Sequence, residues 1–294
     1  MPRGQCRLCQ ADADLQLSHI LPAFVFRWLR ESAGGNPIRN TSTPNLRVQD
    51  GLKRYWLCSY CEGLFGASET TFANELFYPY LSSSGKRFRY GPWLLHFCTS
   101  VSWRVLRLCV EEHLNTLELD EQAWALQAET VWREYLLGRR PHPGAFQQHL
   151  LPLDRLVGAD ADVAPNMNRY LMRVVQMDLC RAPKRAFTFS KLGRFIILGF
   201  IHEPNLQQWQ GPKVHANEGF VRPRRYVLPR AFGAYLNEKA RSTSKALDSV
   251  SDRQQAKIDE TLLSKADLFV GSDAFAAMQA DIEMFGSEAF SRRR

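Results

Sequence analysis

The sequence has no long hydrophobic run: no stretch approaches the roughly 18 consecutive apolar residues that a membrane-spanning helix needs. Its first residues form neither an apolar signal core nor an amphipathic presequence rich in Arg and Ser. Motifs typical of nucleotide and acyl chemistry are also missing, namely Gly-x-Gly-x-x-Gly, Gly-x-x-x-x-Gly-Lys-Ser/Thr, Gly-x-Ser-x-Gly and His-Glu-x-x-His. We therefore expect a cytoplasmic protein without membrane partners, and neither nucleotide hydrolysis nor acyl transfer has support.

The composition is that of a globular chain, with 45% hydrophobic and 23% charged residues among 294. A chain of this length is longer than a single hydrophobic core usually accommodates, so two domains are expected. The tract Ser82–Gly85 is the predicted boundary, which separates a domain 1–81 from a domain 86–294. The formal net charge of +8 is concentrated, because residues 164–245 carry 15 basic and 4 acidic side chains.

Hydrophobic periodicity predicts an α+β protein. Helical spacing predicts helices over about 23–31, 62–78, 92–116, 121–138 and 166–181. β-rich runs predict strands over 45–48, 52–57, 186–190, 194–201 and 220–228. The turn Gln49-Asp50-Gly51 predicts that the first two strands form a hairpin. We expect a small domain with this hairpin and the 62–78 helix, followed by a larger, mainly helical, basic region with a β-hairpin around 184–228.

Four of the seven cysteines form two Cys-x-x-Cys pairs, Cys6/Cys9 and Cys58/Cys61. One pair precedes the predicted hairpin, and the other lies at the start of a predicted helix. Four thiolates in this arrangement suit tetrahedral zinc, and a saturated site of this kind is structural. Unrelated buried cysteines are the alternative, and a redox role would explain only one of the two pairs.

The order of these motifs resembles the zinc-containing, four-cysteine branch of the HNH endonucleases (ββα-metal, treble-clef). The resemblance covers about residues 5–78 and rests on the two cysteine pairs, Ser18-His19-Ile20-Leu21-Pro22, Asn45, and Leu57-Cys58-x-x-Cys61-Glu62. It implies a hydrolase that cleaves nucleic-acid phosphodiester bonds, DNA in the first instance, with Mg²⁺ or another divalent ion at the catalytic site. It also implies a biological setting such as phage defence.

The resemblance assigns His19 as general base and an asparagine that orients it, for which Asn45 is the predicted residue and Asn40 the alternative. Glu62 is the third predicted catalytic residue, as a carboxylate in place of the family's usual helix residues, and its alternative role is to favour the helix N-terminus. The sequence departs from the family at Ser18, where a metal-ligating Asp or His is usual, and at Glu62 and Phe65 on the helix. Glu62 and Glu69 are two turns apart and could supply carboxylates to Mg²⁺ instead. For His19, a packed imidazole without a chemical role is the alternative.

Basic residues interleaved with aromatic residues in 164–245 suit phosphates and bases. A solvated sheet face over an aromatic core is the alternative interpretation. The residues predicted to bind nucleic acid are Arg181, Lys184, Arg185, Arg194, Arg222, Arg224 and Arg225. A second function is also consistent with the sequence: a catalytically inactive HNH-like zinc module that binds nucleic acid or a protein partner.

Overall fold

A computed structural model of the chain describes residues 1–35, 38–83, 85–158, 162–222 and 226–290. The fold is mixed, with 50% helix and 23% strand, and its sheets are small and antiparallel over these residues. The strands are β1 Arg3–Gln5, β2 Asp12–His19, β3 Ile38–Asn40, β4 Thr43–Val48, β5 Lys53–Cys58, β6 Phe88–Tyr90, β7 Gln148–Pro152, β8 Val175–Ala182, β9 Arg185–Leu192, β10 Phe195–His202 and β11 Gly219–Val221. The helices are α1 Ala23–Glu31, α2 Ser59–Phe72, α3 Tyr78–Ser82, α4 Trp93–His113, α5 Leu119–Leu136, α6 Met167–Arg173, α7 Arg230–Asp248, α8 Asp252–Ser264, α9 Ala266–Val270 and α10 Asp273–Phe285.

The chain divides into two compact units, each made of several segments. Unit 1 contains Met1–Pro22, Gly51–Pro152 and Gln176–Val227, and unit 2 contains Ala23–Asp50, Leu153–Val175 and Leu228–Arg294. These units do not coincide with the predicted domains 1–81 and 86–294. In unit 1, Phe72 of α2 stacks on Phe97 of α4 with ring centroids 3.9 Å apart, so the predicted boundary falls between two helices that share one core.

The first sheet of unit 1 has the order β1-β2-β5 and leads directly into α2. The predicted hairpin between 45–48 and 52–57 is wrong. Both runs are strands, but β5 pairs with β2 and β4 pairs with β3. The reason is hydrophobic burial: Trp56 and Leu57 of β5 are 2% and 0% exposed, whereas Leu46 of β4 is 62% exposed. The predicted helix start at the second cysteine pair is confirmed by α2.

The second sheet of unit 1 has the order β7-β10-β9-β8, and its central hairpin β9–β10 confirms the predicted strands around Lys-Leu-Gly. The apolar strand Phe195–His202 lies in the middle of this sheet, and α4 packs on it. The predicted helix over 166–181 is wrong beyond Arg173, because the chain there turns into the edge strand β8. Consecutive β-branched residues, Val174 and Val175, mark that change.

Unit 2 combines α1, the β3–β4 hairpin and the helices α6 to α10. Its core includes Met167, Tyr170 and Leu171 of α6, which pack around Ala240 of α7. The fully buried carboxylate of Asp281 on α10 accepts hydrogen bonds from the backbone of Asn168 at 2.7 Å and from Arg169 Nε at 2.7 Å. Within the described segments, no helix has the length and apolarity that a membrane crossing requires.

Candidate metal centre and active site

The four predicted cysteines lie together at one end of the β1-β2-β5 sheet. Their sulfur atoms all lie within 4.8 Å of one another, and the Sγ atoms of Cys9 and Cys58 are 3.8 Å apart. Tetrahedral zinc with Zn–S bonds of about 2.3 Å requires sulfur–sulfur edges of roughly 3.8 Å. None of these cysteines forms a disulfide. The cluster therefore could bind a metal ion such as zinc.

The surroundings of Cys6 favour a thiolate. The backbone N–H of Cys58 donates a hydrogen bond to Cys6 Sγ at 3.4 Å. A hydrogen bond from the Cys61 thiol, helped by backbone N–H groups, lowers the pKa of Cys6 to about 4 although burial opposes this. The same pairing raises the pKa of the Cys61 thiol. Cys6 therefore offers one negatively charged sulfur to a divalent cation, and metal binding would displace the proton of the Cys61 thiol.

The end of β2 carries the predicted general base. The pairing of β2 with β5 shifts register after Gln16: Gln16 pairs with Leu57 and Leu17 pairs with Tyr55, so Trp56 of β5 is the extra residue. At this irregularity Leu17 is 47% exposed and Ser18 is 1% exposed. His19, which pairs with Lys53 at the last position of the strand, is half-buried.

Ser18 connects the strand end to the helix. Its hydroxyl donates a hydrogen bond to Glu62 Oε2 at 2.6 Å. Glu62 lies in the first turn of α2, directly after Cys61 in the sequence, and its side chain is half-buried. Glu62 forms no ion pair with any residue that the structure describes. The structure thus brings the predicted catalytic residue Glu62 into direct contact with Ser18, the residue that precedes His19 in the sequence.

A buried arginine that sequence reasoning did not single out lies at the same strand end. Arg104 of α4 is 3% exposed, and its Nη1 donates to the backbone carbonyl of His19 at 3.0 Å. Its Nη2 lies 2.6 Å from Glu69 Oε1, and its Nε donates to Ser100 O at 3.2 Å. The carboxylate of Glu69 is therefore engaged by a guanidinium, which disfavours the predicted two-carboxylate arrangement with Glu62. The only sequence signal for Arg104 is a charged residue in an apolar stretch of α4.

Asn45, the third predicted catalytic residue, belongs to β4 of unit 2. Its Oδ1 accepts a hydrogen bond from the backbone N–H of Ser251 at 2.8 Å. Within unit 2 this amide therefore has a structural contact, which joins the β3–β4 hairpin to the start of α8.

The residues predicted to bind nucleic acid have different surroundings. Arg181 pairs with Glu121 at 3.0 Å, and Arg185 pairs with Glu203 at 3.3 Å. Arg194 is 8% exposed and lies over the ring of Tyr80, 5.1 Å from its centroid. Lys184, at the β8–β9 turn, and Arg222 are exposed. Arg224 and Arg225 lie outside the described residues. Several of these cations thus neutralise carboxylates or pack on aromatic rings.

Comparison with known proteins gives no match to this chain, whether by protein family, among curated proteins or among solved structures. Any functional interpretation therefore rests on the geometry of the site.

Replacement of Arg104 by Met is expected to destabilise unit 1. The variant would leave the half-buried carboxylate of Glu69 without its cation and would remove the hydrogen bond from Arg104 to the carbonyl of His19. We expect a loss of about 3 kcal/mol in the free energy of unfolding, measured by chemical denaturation. Arg107→Met on the same helix removes only the i,i+4 pair with Glu111 and should cost below about 1 kcal/mol. Equal losses in the two variants would contradict a special role for Arg104.

Proposed function

We propose that unit 1 carries an HNH-like endonuclease site, with structural zinc in the cysteine cluster and His19 as the general base. The observation that carries the proposal is the contact between Ser18 and Glu62 at 2.6 Å. It joins the end of β2 to the first turn of α2 within one ββα arrangement, in which antiparallel β2 and β5 precede the helix and the four cysteines gather at its start.

The zinc would hold this arrangement together and take no part in the reaction. Four thiolates fill the tetrahedral coordination shell, so the ion would have no open position for water or substrate. Its ligands come from the loop after β1 and from the β5–α2 junction, so the ion would fix the start of α2 against the first sheet.

Glu62 is the residue that would hold a catalytic Mg²⁺. Mg²⁺ often uses one or two carboxylates together with waters and substrate phosphates. Glu62 is half-buried and has no cationic partner among the residues that the structure describes, which fits such a single-carboxylate site. When bound, the ion would neutralise charge on the phosphate and the leaving oxygen. Ser18 would hold the Glu62 carboxylate in place, since its hydroxyl donates to one of the two oxygens.

His19 would take the proton from the attacking water, as a neutral imidazole does in general-base catalysis. Arg104 would position this residue, because its hydrogen bond fixes the backbone carbonyl of His19. The proposed substrate is nucleic acid, DNA in the first instance, and the net charge of +8 supports attraction to a polyanion.

A second candidate function is an inactive HNH-like zinc module that binds nucleic acid or a protein partner. Two observations favour it: Ser18 is 1% exposed, and the Glu69 carboxylate is occupied by Arg104. Both reduce the number of groups that remain open to a metal ion.

The experiment that separates the two candidates is a cleavage assay on plasmid DNA, single-stranded DNA and RNA. The nuclease should cut in the presence of Mg²⁺ or Mn²⁺ and should stop when EDTA is added, because the phosphate would lose its cation. Zinc content is measured in every sample, so that loss of structural zinc is not mistaken for loss of the catalytic ion. Binding without cutting under all metal conditions would favour the inactive module.

A further inference from the structure

Unit 1 also contains a cavity of about 310 Å³ beside the two-stranded β6–β11 ribbon. The segment Gly211–His215 forms another part of its wall. Volumes of roughly 300 Å³ and above are typical of small-ligand sites. None of the proposed zinc ligands or catalytic residues lines this cavity.

Among the described residues, the charged side chains that line this cavity are all basic. Arg87, Lys213 and Arg222 line the cavity, together with His215, and among the described residues no carboxylate does so. These three cations are exposed and form no ion pair with any described side chain. This distinguishes them from Arg181 and Arg185, whose charges are neutralised by carboxylates. Uncompensated cations around a concave surface attract an anion.

Aromatic rings lie in the same wall. The Arg87 guanidinium carbon is 3.3 Å from the centroid of the Phe220 ring, so this cation is held on an aromatic face. Tyr226 also lines the cavity, and its hydroxyl donates to the backbone carbonyl of Arg222 at 3.1 Å. Aromatic rings are surfaces on which a planar base packs.

Close contacts hold the two parts of the cavity wall together. The hydroxyl of Tyr90, a side chain that is 5% exposed, accepts a hydrogen bond from the backbone N–H of His215 at 3.1 Å. A Cβ on Gly219 would lie 2.3 Å from this hydroxyl oxygen, so only glycine permits the close approach of β11 to Tyr90. The ribbon and the Gly211–His215 segment are therefore fixed to each other before any ligand binds.

We propose that this cavity binds a nucleotide, with Arg87, Lys213 and Arg222 on the phosphate and the Phe220 and Tyr226 side of the wall against the base. The same chemistry is presented by a free mononucleotide and by the 5′-phosphorylated end of a strand. The site is independent of phosphodiester cleavage, so it can exist whether or not the His19 site is active.

The test is isothermal titration calorimetry of the full-length, zinc-loaded protein without added Mg²⁺. The probes are AMP, adenosine, inorganic phosphate and a 5′-phosphorylated hexanucleotide with its unphosphorylated counterpart. We expect AMP, the phosphorylated hexanucleotide or both to bind at least tenfold more tightly than adenosine and phosphate. Preference for AMP identifies a free nucleotide, and binding of the phosphorylated hexanucleotide alone identifies a strand end.

Variants locate the binding. Lys213→Ala and Arg222→Ala should each weaken binding about tenfold or more, because each removes a charge-assisted contact. The matched control is Arg89→Ala on the same ribbon: Arg89 pairs with Glu218 and does not line the cavity, so this variant should bind as the wild type does.

Three results would overturn the proposal. The first is that no probe binds, and the second is that binding is unchanged in both Lys213→Ala and Arg222→Ala. The third is that phosphate binds as tightly as AMP and as the phosphorylated hexanucleotide, which would remove the base from the site. Because the titration measures binding without catalytic metal, such a result leaves the cleavage proposal as it stands.

Discussion

Replacement of Cys58 by Ser should remove the metal ion and unfold the zinc-binding part of unit 1. Cys58 ends β5, and its backbone N–H also donates to Cys6, so this residue joins both Cys-x-x-Cys pairs. Metal binding to a structural cysteine site is folding free energy, with apparent values of about 10–16 kcal/mol for zinc-finger peptides. We expect bound zinc to fall from one equivalent to almost none, with rapid proteolysis between β1 and β2.

The matched control is Cys109→Ser. Cys109 and Cys58 are both 8% exposed and both belong to unit 1, but Cys109 lies outside the cysteine cluster. The two variants make the same chemical change at the same burial, and only one removes a metal ligand. A Cys58→Ser protein that keeps native proteolytic resistance with no bound metal would contradict the structural zinc.

The cysteine cluster was predictable from the sequence because its signal is local. Two Cys-x-x-Cys pairs each bring two thiols close along the chain, and a helix start after Cys58 follows from the apolar spacing beyond it. Only the approach of the two pairs to each other depended on residues that are far apart in the sequence. Tetrahedral coordination chemistry supplies a reason for that approach.

The strand partners were not predictable in the same way. Residues 45–48 and 52–57 have the composition of strands and a turn sequence between them, which favours a hairpin. In the structure Trp56 and Leu57 need burial, and the partner that provides it is β2, some 40 residues earlier in the sequence. Local turn chemistry was therefore outweighed by packing that depends on distant residues.

The register shift between β2 and β5 shows the same limit at the candidate site. Simple alternation after Leu15 would bury Leu17 and expose Ser18, whereas the structure exposes Leu17 and buries Ser18 where Trp56 of β5 interrupts the pairing. The Ser18–Glu62 contact depends on this reversal. Arg104 is a further case, since its role comes from contacts with Glu69 and with the backbone of His19, which are 35 and 85 residues away.

His19→Ala should lower the cleavage rate at least a hundredfold while leaving the fold intact. A general base contributes about 10²- to 10⁴-fold to a rate, so cutting should fall by at least two orders of magnitude. The fold should survive because Arg104 binds the backbone carbonyl of His19, which alanine retains, and because the side chain is only half-buried. Unchanged zinc content and an unchanged unfolding transition would verify this.

The control is His113→Ala, which removes an exposed imidazole at the end of α4 in the same unit. It should cut at the wild-type rate. Comparison of turnover with binding then separates chemistry from affinity, since loss of a base lowers the rate and leaves substrate binding nearly unchanged. Partial recovery of His19→Ala cleavage by added imidazole would assign the missing group to the side chain itself. Cleavage by His19→Ala at the wild-type rate would exclude His19 as the base. Binding without cleavage in both the wild type and His19→Ala would identify the inactive zinc module.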